Sequence, residues 1–135
     1  MEYQEFVQAS RQVDLLLDSG RLKDAEAALY KLILGDISEI DRSMLCVQMA
    51  GIYDKLGKSG EAIAWYDKGI ASEEPLCRFY AAEKKAEYLA WLGQANHAVE
   101  LCEALLKQPF LSESDKDRMR GHIKTFLSKT LGEWR

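Results

Sequence analysis

Few residues of this 135-residue chain have the types and spacing that chemistry needs. Gly51-Ile-Tyr-Asp-Lys-Leu-Gly57-Lys58-Ser59 looks at first like a phosphate-binding loop. In such a loop, backbone N–H groups cradle the phosphates and a lysine meets their charge. That geometry needs four residues between its glycines and a strand before them. Here there are five, and both flanks read as helix, so Lys58 is assigned to a turn between helices. His97 and His122 are the only histidines. No zinc-protease pair, no cysteines at metal-ligand spacing and no serine elbow accompany them. His97 reads as a solvated residue near a turn, and His122 as a neighbour of an apolar stripe. Cys46, Cys77 and Cys102 are odd in number and fit neither a disulfide framework nor a metal motif. The carboxylates fall at helix-surface spacing, whereas acid–base work needs titratable groups converging in a pocket. The expectation is a chain with no catalytic residue, no metal site and no cofactor, and not an enzyme.

The elements that would position any site are helices, and they repeat. In the central stretch Ser43 to Leu76, Cys46, Met49, Ala50 and Tyr53 share one helical face, and Ala62, Ile63, Tyr66, Gly69 and Ile70 share another. Gly57 stands where the chain must reverse, and glycine accepts the positive φ of a helix C-terminus. Ala62 and Gly69 are small enough to let the two helices approach closely. The same pattern stands on either side. Gly20 and Ala25 precede Gly57 and Ala62 by 37 residues, and Gly93 and Ala98 follow them by 36. This resembles the tetratricopeptide repeat, whose small residue, tyrosine, glycine, alanine, aromatic, small residue and proline correspond to Ala50, Tyr53, Gly57, Ala62, Tyr66, Gly69 and Pro75. Cys46 stands where the family usually has tryptophan, and Pro75 comes one residue late. The outer repeats carry Leu16 and Leu89 in place of the tyrosine. The family period is about 34 residues, so the extra residues belong to linkers.

The resemblance implies an all-α fold: an α-α superhelix of three helical hairpins, right-handed, with a C-terminal capping helix. Repeats are expected over about 6–39, 43–76 and 79–112, within one domain spanning 1–135. Ser38 or Asp41 is placed to cap the third helix. Pro75 and Pro109 act as stops. Ser112-Glu113-Ser114-Asp115 reads as the N-terminal cap of a last helix over 114–134. Met119, Ile123, Phe126, Leu127, Thr130, Leu131 and Trp134 would form its apolar face. A helical solenoid needs such a cap over its final repeat. Gly121, inside that helix, suggests a close approach.

Nearly half the residues are apolar (47%) and 30% are charged, enough for a packed core. Net charge is −4, split into −7 over residues 1–113 and +3 over 114–135. The acidic body argues against nonspecific nucleic-acid binding. There is no apolar run long enough for a membrane span and no secretory n-region, and the cysteines suit a reducing compartment. A cytoplasmic address is the expectation.

In proteins similar to tetratricopeptide repeats, the first helix of each hairpin lines a concave groove. Carried onto this chain, the lining is Val7, Ser10, Arg11, Asp14 and Asp18, then Met44, Val47, Gln48, Gly51 and Lys55, then Tyr80, Glu83, Lys84, Glu87 and Trp91. Helical geometry independently places 44, 48, 51 and 55 on one stripe, and 80, 84, 87 and 91 on another. Tyr80 and Trp91 are the aromatic anchors expected of a hot spot, and Met44 is an adaptable contact. Trp91 has a second reading, as a core residue under the last helix. The family members that grip a chaperone's C-terminal carboxylate use lysine and asparagine at positions held here by Ser10, Val47 and Glu83, by Arg11, Gln48 and Lys84, and by Asp14, Gly51 and Glu87. No clamp asparagine is present. The implied function is a non-catalytic module that binds a peptide or an amphipathic helix with basic and apolar groups. The alternatives are a small chaperone dedicated to one secreted or assembly-prone client, and a scaffold that self-associates.

Overall fold

The computed structural model describes residues 1–128 and is all-helical over them, with seven α-helices and no strand. They are α1 (Tyr3–Asp18), α2 (Leu22–Ile33), α3 (Glu39–Lys55), α4 (Ser59–Glu73), α5 (Tyr80–Trp91), α6 (Ala95–Leu106) and α7 (Glu113–Ser128). Consecutive helices pack in pairs, α1 on α2, α3 on α4 and α5 on α6. The pairs join through α2 on α3, α4 on α5 and α3 on α5, and α7 lies on α6.

The three glycine turns share one cause. Gly20, Gly57 and Gly93 have φ of +74°, +75° and +85°. Each glycine N–H bonds a carbonyl three residues back, and the next N–H reaches one five back. The pairs are Gly20 to Leu17 and Arg21 to Leu16, Gly57 to Asp54 and Lys58 to Tyr53, Gly93 to Ala90 and Gln94 to Leu89. This double bond closes the helix by satisfying carbonyls its last turn would otherwise strand, and it demands a residue without Cβ strain. The alanines five residues on, Ala25, Ala62 and Ala98, are all fully buried. Ala62→Leu is therefore expected to overpack the central pair and lower stability by about 1–3 kcal/mol. Thermal melting checks this, and an unchanged midpoint would place Ala62 outside the helix contact.

Gly69 is the tightest point. A Cβ there would lie 3.1 Å from Ala81 Cβ, 3.2 Å from the Ser43 carbonyl oxygen and 3.3 Å from Cys46 Cβ, so its smallness sets the distance of α4 from both α3 and α5. Trp65, outside the apolar stripe read from the sequence, is buried too. It stacks on Tyr53 and meets Tyr30 edge-on. Helix α4 is covered on more than one side, so its buried face is wider than one stripe.

The linkers are held by side chains. Ser38 Oγ caps α3 by accepting the Asp41 N–H at 3.1 Å. Arg42 donates to the carbonyls of Ile33, Gly35 and Ile37, which closes the C-terminal end of α2. Pro75 lies within a short 3-10 turn, Glu74–Leu76, after which Cys77 takes a left-handed φ of +56°. Ser112 and Asp115 form a reciprocal box at the start of α7: Asp115 N–H donates to Ser112 Oγ at 3.0 Å, and Ser112 N–H to Asp115 Oδ2 at 3.3 Å.

Helix α7 completes a second core. Met119 and Phe126 are buried with Ala82, Ala86, Leu89, Ala98, Cys102 and Leu105, and Ile123 packs at their edge. Two expectations for this helix need correction. Leu127 is exposed, because the inward face is narrower than the apolar run suggested. Gly121 is exposed as well, and a Cβ added there would meet nothing within 4 Å, so it marks no close approach. Thr130, Leu131 and Trp134 lie outside the described residues. Among the described residues, no helix is long and apolar enough to cross a membrane.

Candidate functional site

The expected lining divides into a joined group and a separate one. On α3, Met44, Gln48 and Lys55 are exposed, and Val47 and Gly51 are half-buried. A Cβ on Gly51 would meet nothing within 4 Å, so the middle of that stripe is open. On α5, Tyr80 and Trp91 are exposed at 43% and 51%, comparable to Met44 at 49%. For Trp91 this favours the surface over the core. Val7, Arg11, Asp14 and Asp18 lie on α1, which packs on α2. They take no part in the bonds that tie α3, α5 and α7 together. Ser10, on the same helix, has its hydroxyl buried.

A phenol cluster fixes α3 against α5. Tyr88 donates its hydroxyl to Asp54 Oδ1 at 2.9 Å, and the Tyr66 ring lies 5.4 Å from the Tyr88 ring. Burial pushes the Tyr66 phenol up to about 12, with Asp54, Glu87 and Tyr80 adding to the effect. Tyr88 is raised by burial and by its bond to Asp54. Both phenols therefore stay neutral, and Tyr88 works as a donor. Their neighbours place Asp54 of α3 and the Tyr80–Glu87 stripe of α5 around one locus. On that stripe, Lys84 lies 5.8 Å above the Tyr80 ring and 3.7 Å from Glu87.

Glu83 is turned to α7. Arg118 donates from Nε to Glu83 Oε2 at 2.8 Å and from Nη2 to Oε1 at 3.1 Å. His122 Nε2 lies 2.7 Å from Glu83 Oε2 and 3.8 Å from Glu87 Oε1. The His122 ring stacks on Phe126 at 5.5 Å, with 8° between the planes. Burial raises the Glu83 carboxyl, but the bonds from Arg118 and His122 outweigh it and hold the group below the ordinary carboxylate range. A two-toothed guanidinium fork on a carboxylate, with the side chain only 14% exposed, is a fixed contact. Arg118 is not singled out by the sequence, and His122 reads there only as a neighbour of the apolar stripe, not as a partner of Glu83. Their i, i+4 spacing matches that of Glu83 and Glu87, so two complementary helix stripes were the available signal.

Burial pushes the Cys46 thiol up to about 11 and the Cys102 thiol up to about 12, which keeps both protonated inside the core. Comparison of the chain with protein-family models, with curated proteins and with solved structures gives no match.

Proposed function

We propose that this chain is a tetratricopeptide-like superhelix whose α3–α5 face, bordered by α7, holds a segment of another protein without catalysis. One observation carries the reading: Met44, Tyr80 and Trp91, three large apolar side chains, are each left about half exposed on the α3 and α5 stripes, and the α3 stripe is open at Gly51. Isolated exposed apolar residues are ordinary on protein surfaces. Two aromatics and a methionine exposed on adjoining helices are the residue types that anchor a partner. Glu83 is already neutralised by Arg118, while Glu87 on the α5 stripe and the phenol-bound Asp54 of α3 add acidic character to the face. The fitting ligand is an amphipathic helix or extended segment that is apolar along one side and basic at its margin.

Tyr80→Ala combined with Trp91→Ala is the test. Hot-spot truncations cost about 2 kcal/mol or more each, roughly 30-fold in affinity. A protein retained from lysate by the wild type and lost by the double variant, with helical content unchanged, supports the reading. Identical retention by both overturns it. Retention of the chain's own copies alone, with mass in solution rising with concentration, supports self-association instead.

A further inference from the structure

We propose that Glu83, Glu87 and His122 form a binding site for a divalent transition-metal ion of the Zn²⁺ class, at the junction of α5 and α7. One ligand atom from each lies within 4.8 Å of the others. Tetrahedral zinc with bonds of about 2.0–2.1 Å sets neighbouring ligand atoms roughly 3.3 Å apart. The observed separations from His122 Nε2, 2.7 Å to Glu83 Oε2 and 3.8 Å to Glu87 Oε1, straddle that value. Small rotamer adjustments bring all three to bonding distance.

The scaffold suits the task. Glu83 and Glu87 are one turn apart on α5, so their carboxylates project from a single stripe. Imidazole comes from a different helix, and its plane is set by the stack on Phe126. Arg118 grips Glu83 from outside, as a group beyond the ligands commonly orients a metal-bound carboxylate. The proton now held between Nε2 and Oε2 is replaced by the cation and passes to Nδ1 or to water. One nitrogen and two carboxylate oxygens favour Zn²⁺ or its transition-metal neighbours over Mg²⁺ or Ca²⁺, which take all-oxygen shells. Arg118 and Lys84 oppose the incoming charge, since both already pair with these acids. Glu87 and His122 are only part-buried, so an ion can reach the cluster from solvent. This proposal does not depend on the peptide-binding reading.

The experiment is calorimetric titration of the full chain with ZnCl₂, beside His122→Ala and Glu87→Gln. Glu87→Gln removes a ligand while keeping side-chain size, so it decides the matter even where His122→Ala loosens α7. The expected result is one equivalent bound by the wild type and affinity at least tenfold weaker in each folded variant, with excess Mg²⁺ failing to compete. Absence of zinc binding overturns the proposal. Unchanged affinity in Glu87→Gln also overturns it.

Discussion

Glu73→Ala is expected to destabilise the fold by about 2–4 kcal/mol, a large part of the 5–15 kcal/mol typical of a whole domain. Glu73 ends α4 and is 1% exposed. Its Oε1 accepts the Ser43 hydroxyl at 3.0 Å and the Ala81 N–H at 2.6 Å, and its Oε2 accepts the Ala82 N–H at 3.3 Å. The carboxylate thus caps α5 from a neighbouring helix while bonding to α3. Alanine would strand two buried amide donors at the positive end of α5, each costing about 1–3 kcal/mol. Relief of the buried charge offsets part of that loss. Urea unfolding of the full chain measures it, and a loss below about 1 kcal/mol would mean the cap is replaceable by solvent. Glu73→Gln adds a pH test. Burial raises the Glu73 carboxyl above its ordinary 4.5, with the three donors pulling it back only in part. Between the unfolded and folded values the native state holds more protons than the unfolded one, so this group's contribution falls as pH rises. The margin of wild type over Glu73→Gln should be widest at and below about pH 4.5 and narrow above it. A margin that widens with pH would show that the donors outweigh burial.

Glu73 also marks where the sequence stops being readable. The helix pairs were legible because their signals are local. Gly20, Gly57 and Gly93 need only their own φ, and Ala25, Ala62 and Ala98 need only a fixed offset from them. Ser112 and Asp115 likewise sit within one turn. Helix α5 has no such signature, since Phe79 occupies its N-cap position and offers no side-chain acceptor. The acceptor arrives from six residues upstream, across a 3-10 turn, and only tertiary packing puts it there. The expected face shows the same division. Its stripes followed from helical periodicity, but the partner of Glu83 lies 35 and 39 residues away on α7. Tyr88 and Asp54 are 34 apart. Nothing in a single stripe announces which carboxylate is taken up inside the molecule and which remains on its surface. Gly121 fails for the opposite reason: an exposed helix tolerates glycine at a cost of about 1 kcal/mol with no packing demand behind it.

Phe126→Ala is expected to cost about 3–5 kcal/mol, the range for emptying a fully buried aromatic site. Phe126 is 2% exposed and fills the space between α7 and the α5–α6 pair, next to fully buried Met119 and Cys102. The same ring supports His122, which holds Glu83. Its removal therefore acts twice, by opening a cavity in the second core and by loosening the ion-paired contact of α7 with α5. The outcome distinguishes two views of the helix. If α7 is integral, Phe126→Ala lowers the single unfolding transition of the whole chain, and a dye for apolar surface begins to bind only with that transition. If α7 is a detachable lid, helical signal is lost in a separate early step, dye binds under native conditions, and the main transition stays where it was. The shared core with α5 and α6 favours the first outcome, because Met119 and Phe126 are buried among residues of both helices. A cost under 1 kcal/mol with no early step would exclude both views and remove α7 from the core.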